Sequence, residues 1–238
     1  MKKQGNPGVS GVLPICLEDA CKAIPALQGL DKKYVGVMRL HKDVDDITLH
    51  AAVKKFIGVI KQKPPVKSAV ARKEREREVY SMEILDRKGR DVCVSVHCQA
   101  GTYIRKLFDD IGRLIGGAHM KELRRVAVGN FTENDAHKIQ DVAQAYSAWK
   151  NGSEEIRKIV LPIERAVVHL KKITVKESAV RSVANGSPVY VNGVAKMDSG
   201  ISKDELIAVF SGDELIALAR FAGEKGMVAK TDRVIKSL

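Results

Sequence analysis

The stretch from Asp91 to Arg105 constrains the fold of this chain more than any other. Residues 91–98, Asp-Val-Cys-Val-Ser-Val-His-Cys, alternate with period two, the pattern of a strand with one buried face. They lead directly into Ala100-Gly-Thr-Tyr-Ile-Arg105. From Ile104 onward, Leu107, Phe108, Ile111, Leu114 and Ile115 recur at helical spacing until Gly116-Gly117 stops the run. One aromatic ring and one guanidinium therefore stand at a strand-to-helix junction. Such a pair can stack on a base drawn out of its helix and hold a carboxylate or phosphate beside it. The same six residues also read as a buried tyrosine and a helix-start arginine satisfying local hydrogen bonds.

Charge bears on that choice. The 238 residues carry a formal charge of +12, which suggests a polyanionic partner. Lysine and arginine enrichment for thermal adaptation or solubility is the competing account. Aromatic residues make up 5% of the chain, so each ring near basic groups carries weight. No segment approaches the length of a membrane span, and the opening Met1-Lys-Lys-Gln-Gly-Asn-Pro7 has no apolar stretch for a signal peptide. The cysteine pairs Cys16/Cys21 and Cys93/Cys98 lack zinc-knuckle spacing, so reduced thiols in a cytoplasmic protein are expected.

Leu17, Ala20, Cys21 and Ile24 predict a short helix closed by Pro25. Residues 34–40 alternate as a strand. Asp45 and Asp46 open a second helix with Leu49, Val53, Phe56, Ile57 and Ile60 as its stripe, ended by Pro64-Pro65. The charged run 72–78 reads as a strand with Lys73, Arg75 and Arg77 on one side and Glu74, Glu76 and Glu78 on the other. That basic face could track a phosphate backbone, or the run could be an exposed edge kept soluble by charge. Residues 86–90 form the turn into strand 91–98. A further helix spans about 136–149 with Ile139, Val142, Tyr146 and Trp149 buried, and Pro162 with His169-Leu-Lys-Lys172 marks a domain boundary. After a short helix from Glu177 to Asn185-Gly186, strands are expected at 188–191, 206–210 and 215–221. Ser211-Gly-Asp213 is the hairpin turn between the last two. The expected class is α+β: a mixed β-sheet core with flanking helices, plus a small C-terminal β-barrel.

Four collinear stretches resemble the tRNA pseudouridine synthase B family, in its archaeal and eukaryotic guide-RNA-dependent, dyskerin-like branch. They are Pro7-Gly-Val-Ser-Gly-Val-Leu-Pro14, Lys32-Lys-Tyr34, Ala100-Gly-Thr-Tyr-Ile-Arg105 and Gly117-Ala-His-Met-Lys-Glu-Leu-Arg-Arg125, supported by Gln62-Lys-Pro-Pro-Val-Lys-Ser-Ala-Val70. The resemblance implies a synthase catalytic domain over 1–165, with its N-terminal part missing, and a PUA RNA-binding barrel over 170–238. It implies isomerisation of uridine within rRNA, and also tRNA, to pseudouridine: the N-glycosidic bond breaks, the base turns and a carbon–carbon bond forms. No cofactor or metal is needed, and no Walker loop, dinucleotide fingerprint or zinc spacing occurs here. Implied partners are guide RNA, target RNA, a small zinc-ribbon-like protein, a glycine-arginine-rich protein and a kink-turn-binding protein. Tyr34 would stack on the flipped base, Tyr103 would lie close to it as a proton-transfer candidate, Arg105 would pair with the catalytic carboxylate, and Leu123 would floor the pocket. His119 reads as structural or RNA-facing.

The chain departs from the family at one decisive place. The first motif carries its nucleophilic aspartate immediately before Pro7, where this chain has Asn6, and Gln4 and Gly5 stand where threonine and leucine belong. A neutral amide cannot act as that nucleophile or form the charged partner of Arg105. An incomplete upstream sequence is the expectation, because the match fails at every residue before Pro7 and holds at each motif after it. The alternatives are a non-catalytic RNA-binding scaffold and a stand-alone tRNA synthase.

Overall fold

The computed structural model describes residues 9–64 and 73–236, and these fall into two compact units. The first holds the described residues up to Pro14 together with Gly29–Ala136; the second holds Ile15–Gln28 and the described part of His137–Leu238.

The short strand β1 (Val9–Gly11) belongs to the first unit, whereas the 3-10 turn Glu18–Ala23 and helix α1 (Ile24–Gln28) belong to the second. Pro25 was expected to close a helix. It sits in the first turn of α1 instead, where its missing N–H removes no helical hydrogen bond.

The first unit continues with β2 (Lys32–Leu40), α2 (Asp46–Lys54), β3 (Gly58–Gln62), β4 (Arg75–Lys88), β5 (Asp91–Cys98), α3 (Ile104–Leu114), β6 (Ala118–Val128) and β7 (Phe131–Thr132). The strands form one mixed sheet in the order β1-β6-β2-β5-β4-β3, with β7 hairpinned onto β6 and only the β1–β6 pair parallel. Its core is built on one face. Val92, Val94, Val96 and Cys98 of β5 alternate inward with Met38 and Leu40 of β2, and α3 covers them with Ile104, Leu107, Phe108 and Ile111. Leu114, expected in that stripe, is exposed, while Ile115 is buried.

Two further expectations change. The predicted helix through Ile60 ends at Lys54, capped at its start by Asp45, whose carboxylate accepts from the Thr48 N–H at 2.8 Å. Gly58 then takes φ +100, and Val59 and Ile60 pair with Glu78 and Arg77. Long-range pairing of these β-branched residues overrides a local helical period. The charged run 75–78 is a strand as expected, but β3 covers it, so β4 is not the sheet edge.

In the second unit, α4 (Ile139–Lys150) and α5 (Ile156–Ile159) precede β8 (Lys172–Val175), α6 (Glu177–Ala184), β9 (Val189–Tyr190), β10 (Val194–Met197), β11 (Leu206–Ser211), β12 (Glu214–Phe221) and β13 (Met227–Val234). The six strands form a nearly closed barrel in the order β10-β8-β11-β12-β13-β9. Ile173, Val175, Ile207, Val209, Ile216, Ala217, Ala219 and Ala229 fill it together with Val183 of α6. The stripe expected to bury α4 does not: Ile139, Val142, Tyr146 and Trp149 are exposed and Ala145 is buried. Tyr146 and Trp149 stack on each other with centroids 5.8 Å apart, and Lys150 lies over the Tyr146 ring. Strands β8, β10 and β13 were not anticipated. Among the described residues no helix is long and apolar enough to cross a membrane.

Candidate RNA-modification site

Three neighbouring strands carry one group of the candidate residues. Val9 of β1, Leu123 of β6 and Gly36 of β2 lie in one register row, and Gly11, Arg125 and Tyr34 lie in the next matching row. Tyr34 and Leu123 both pack against the core cluster under α3. Gly36 makes this possible, because a Cβ there would meet the Leu123 side chain at 3.0 Å and the Phe108 ring at 3.1 Å. Leu123 is thus both a core contact and half-exposed, which is compatible with a pocket floor.

Arg125 ends the 117–125 motif, and the motif alone assigns it no role. Its Nε donates to the Val12 carbonyl at 2.7 Å, and its side chain hydrogen-bonds Tyr34. Burial raises the Tyr34 phenol above its ordinary range, and the Cys98 thiol adds to this. Tyr34 is therefore a neutral ring at physiological pH, suited to stacking. Burial also pushes the Cys98 thiol up to about 11. Unfolding returns that thiol to an ordinary value near 9.0, so its contribution to stability is complete below pH 9 and lost as pH rises toward 11. Urea melts should show wild type losing up to about 2–3 kcal/mol more than Cys98→Ala over that interval. Parallel pH profiles would refute the burial argument.

The strand-to-helix junction carries the second group, around a pocket whose lining includes Tyr103 but not Tyr34 or Leu123. Gln99 continues the ladder, its N–H donating to the Glu78 carbonyl at 2.8 Å and its side-chain oxygen accepting from the Glu78 N–H at 3.2 Å. Thr102 then closes the turn, with both its N–H and its hydroxyl donating to the Gln99 carbonyl. Gly101 turns with φ +82, and its bare Cα lies under the Arg77 guanidinium, which a Cβ would approach to 3.0 Å. Tyr103 is the N-cap of α3 in an extended conformation, and Leu107 N–H donates to its carbonyl at 2.9 Å. Gln62, Pro64, Arg75, Arg77, Gly101 and Tyr103 line a pocket of about 90 Å³. The basic side of β4 thus forms a wall beside Tyr103.

Arg105, on the first turn of α3, is exposed and has no hydrogen bond or ion pair among the described residues. Residues 1–8, 65–72 and 237–238 contain no aspartate or glutamate that could add one. Asn6 lies outside the described residues. His119 is exposed and pairs with His41 at 2.9 Å, on the far end of β2 from Tyr34. Among the described residues no three His, Cys, Asp or Glu side chains converge as a metal site.

Comparison with known proteins supplies the wider context. Residues 6–104 match the TruB family pseudouridylate synthase N-terminal domain, 105–168 the tRNA pseudouridylate synthase B C-terminal domain, and 171–235 the PUA domain. A probable tRNA pseudouridine synthase B of Pyrobaculum aerophilum is 45% identical over 97% of this chain and 73% of its own length. The corresponding protein of Korarchaeum cryptofilum is also 45% identical, over 97% of this chain and 74% of its own. Among solved structures, a chain of a Cbf5-Nop10-Gar1 complex superimposes with a TM-score of 0.91 at 41% identity, covering 96% of this chain and 74% of that one. A chain of an H/ACA RNP bound to a substrate RNA containing 2′-deoxyuridine gives 0.87 at 38% identity, over 96% and 73%. With a synthase sheet, a PUA barrel and both halves of the family's sequence in one collinear match, the chain belongs to the TruB family of pseudouridine synthases.

Proposed function

We propose that this chain is built as the uridine-isomerising subunit of a box H/ACA guide-RNA particle, with Asn6 standing where that activity needs an aspartate. The observation that carries the proposal is the superposition, across nearly the whole chain, on a structure of such a particle with substrate RNA bound. Uridine in rRNA is the substrate, with tRNA as a further class. The partners are guide RNA and three proteins: Nop10- and Gar1-like subunits, corresponding to the zinc-ribbon-like and glycine-arginine-rich proteins, and a kink-turn-binding protein. The site of action is cytoplasmic.

The roles follow from the chemistry at each position. A uridine must leave the stack before its glycosidic bond can be reached. Tyr34, neutral and held by Arg125, supplies the stacking ring. Tyr34→Ala should weaken target binding about 5- to 150-fold, matching a stacking contribution of about 1–3 kcal/mol, while Tyr34→Phe retains most of it. Equal losses in filter-binding assays for both variants would place the hydroxyl, not the ring, in charge. Tyr103 stands beside the base for proton transfer, Leu123 floors the pocket, and Arg105 awaits a carboxylate. With Asn6 in place, the chain binds RNA with strong salt dependence and converts no uridine.

The test is reconstitution with guide RNA, target RNA and the partner proteins, followed by pseudouridine mapping. A second reading, a stand-alone tRNA synthase, draws on the names of the curated archaeal relatives. It requires guide-independent modification of a single tRNA site once Asn6 is replaced by aspartate.

A further inference from the structure

We propose that Gln62 is a positioning residue for Tyr103, holding the peptide that aims the tyrosine ring into the uridine pocket. The proposal rests on the reading of Tyr103 as a pocket residue. Gln62 ends β3, is 3% exposed, and is one of two buried polar residues among those described. Its amide spends both ends on one residue 41 positions away. The Oε1 accepts from the Tyr103 N–H at 2.9 Å, and the Nε2 donates to the Tyr103 carbonyl at 3.3 Å.

That pairing answers a local need. Tyr103 is an N-cap without a side-chain capping bond, and its N–H points out of the helix it precedes. Left alone, a buried N–H at this position would be unsatisfied and the residue free to rotate. The Gln62 amide matches the peptide donor for acceptor, which fixes the extended φ −94, ψ 99 of Tyr103 and hence the direction of its Cα–Cβ bond. Gln62 also lines the same pocket as Tyr103, so the clamp sits at the site and not behind it.

The amide's two ends make the role separable by substitution. Gln62→Leu removes both bonds. Gln62→Glu keeps nearly the same shape and retains the acceptor, but its carboxylate cannot donate to the carbonyl; protonated, it can. The chain has five tyrosines, so fluorotyrosine labelling gives five resolvable ¹⁹F signals, with Tyr103 assigned by Tyr103→Phe.

In the full-length protein, Gln62→Leu should shift and broaden the Tyr103 signal while leaving the other four in place. Gln62→Glu should do so at neutral pH and recover the wild-type signal as the glutamate protonates. A buried residue that only supports the fold would move no single signal with that pH dependence. A Tyr103 signal unchanged in both variants, or five signals moving together, would overturn the proposal.

In reconstituted particles carrying Asn6→Asp, Gln62→Leu should slow single-turnover isomerisation on the order of 10- to 100-fold at unchanged RNA affinity. An unchanged rate would overturn the proposal. Particles that convert no uridine even with Gln62 intact would instead sink the functional reading of the site, and the ¹⁹F result would still decide whether Gln62 holds Tyr103.

Discussion

Replacing Asn6 with aspartate should raise pseudouridine formation by three orders of magnitude or more, the scale on which removal of a covalent nucleophile acts (roughly 10³- to 10⁶-fold). The sequence motif singles out this position, and Arg105 is the basic residue that the family resemblance pairs with it. Asn6 directly precedes the Pro7-Gly-Val-Ser-Gly11 motif, where the family has its aspartate. Arg105 is exposed with no ion pair among the described residues, and no acidic side chain lies in the remaining ones. A carboxylate at position 6 would supply the nucleophile that the family motif carries there, which an amide cannot. The measurement is single-turnover conversion of a guide-matched uridine in the reconstituted particle. Conversion by the Asn6 protein itself, or none by Asn6→Asp, would defeat the assignment of this position.

Gly11→Ala should detach β1 from the sheet. Gly11 has φ +114, and a Cβ there would lie 2.1 Å from the Arg125 carbonyl oxygen and 2.6 Å from its nitrogen. Backbone cannot give way as a flexible side chain can, so the overlap and the positive φ together cost about 2–5 kcal/mol. Because β1 is three residues long, release of the strand is the cheapest relief. Release breaks the Val12 N–H to Arg125 carbonyl bond of 2.8 Å and the return bond from Arg125 Nε. The Arg125 side chain that bonds Tyr34 then loses its anchor. Hydrogen exchange should show the Val12 amide losing protection while amides of β2 and β5 keep theirs. Retained protection at Val12 would show that the strand accommodates the methyl group.

Elements are legible in the sequence where the signal is local and strong. Residues 91–98 had alternation without interruption, and 104–115 had a complete helical stripe, so the sheet's central strand and its covering helix were both legible. Legibility ends where the deciding partner is distant. Ile60 completed a helical period on paper, yet the cross-strand neighbour Arg77 determines its state. Strand β6 was read as a motif because its charged residues mask the alternation. Tyr34 and Leu123 could be paired from the motif order, and their adjacency across β2 and β6 is visible only in the register. Gln62 opens a stretch that supports the family resemblance, but its role is not legible there, because its partner is 41 residues away.

The stack on α4 has a practical consequence. Trp149 is the chain's single tryptophan, and it lies half-exposed against Tyr146 in the second unit. Intrinsic fluorescence excited at tryptophan therefore comes from that helix, and the first unit, which bears Tyr34, Tyr103 and Leu123, has no tryptophan of its own. An emission-monitored melt takes its signal from the second unit alone. Observing the first unit requires a probe placed there by design.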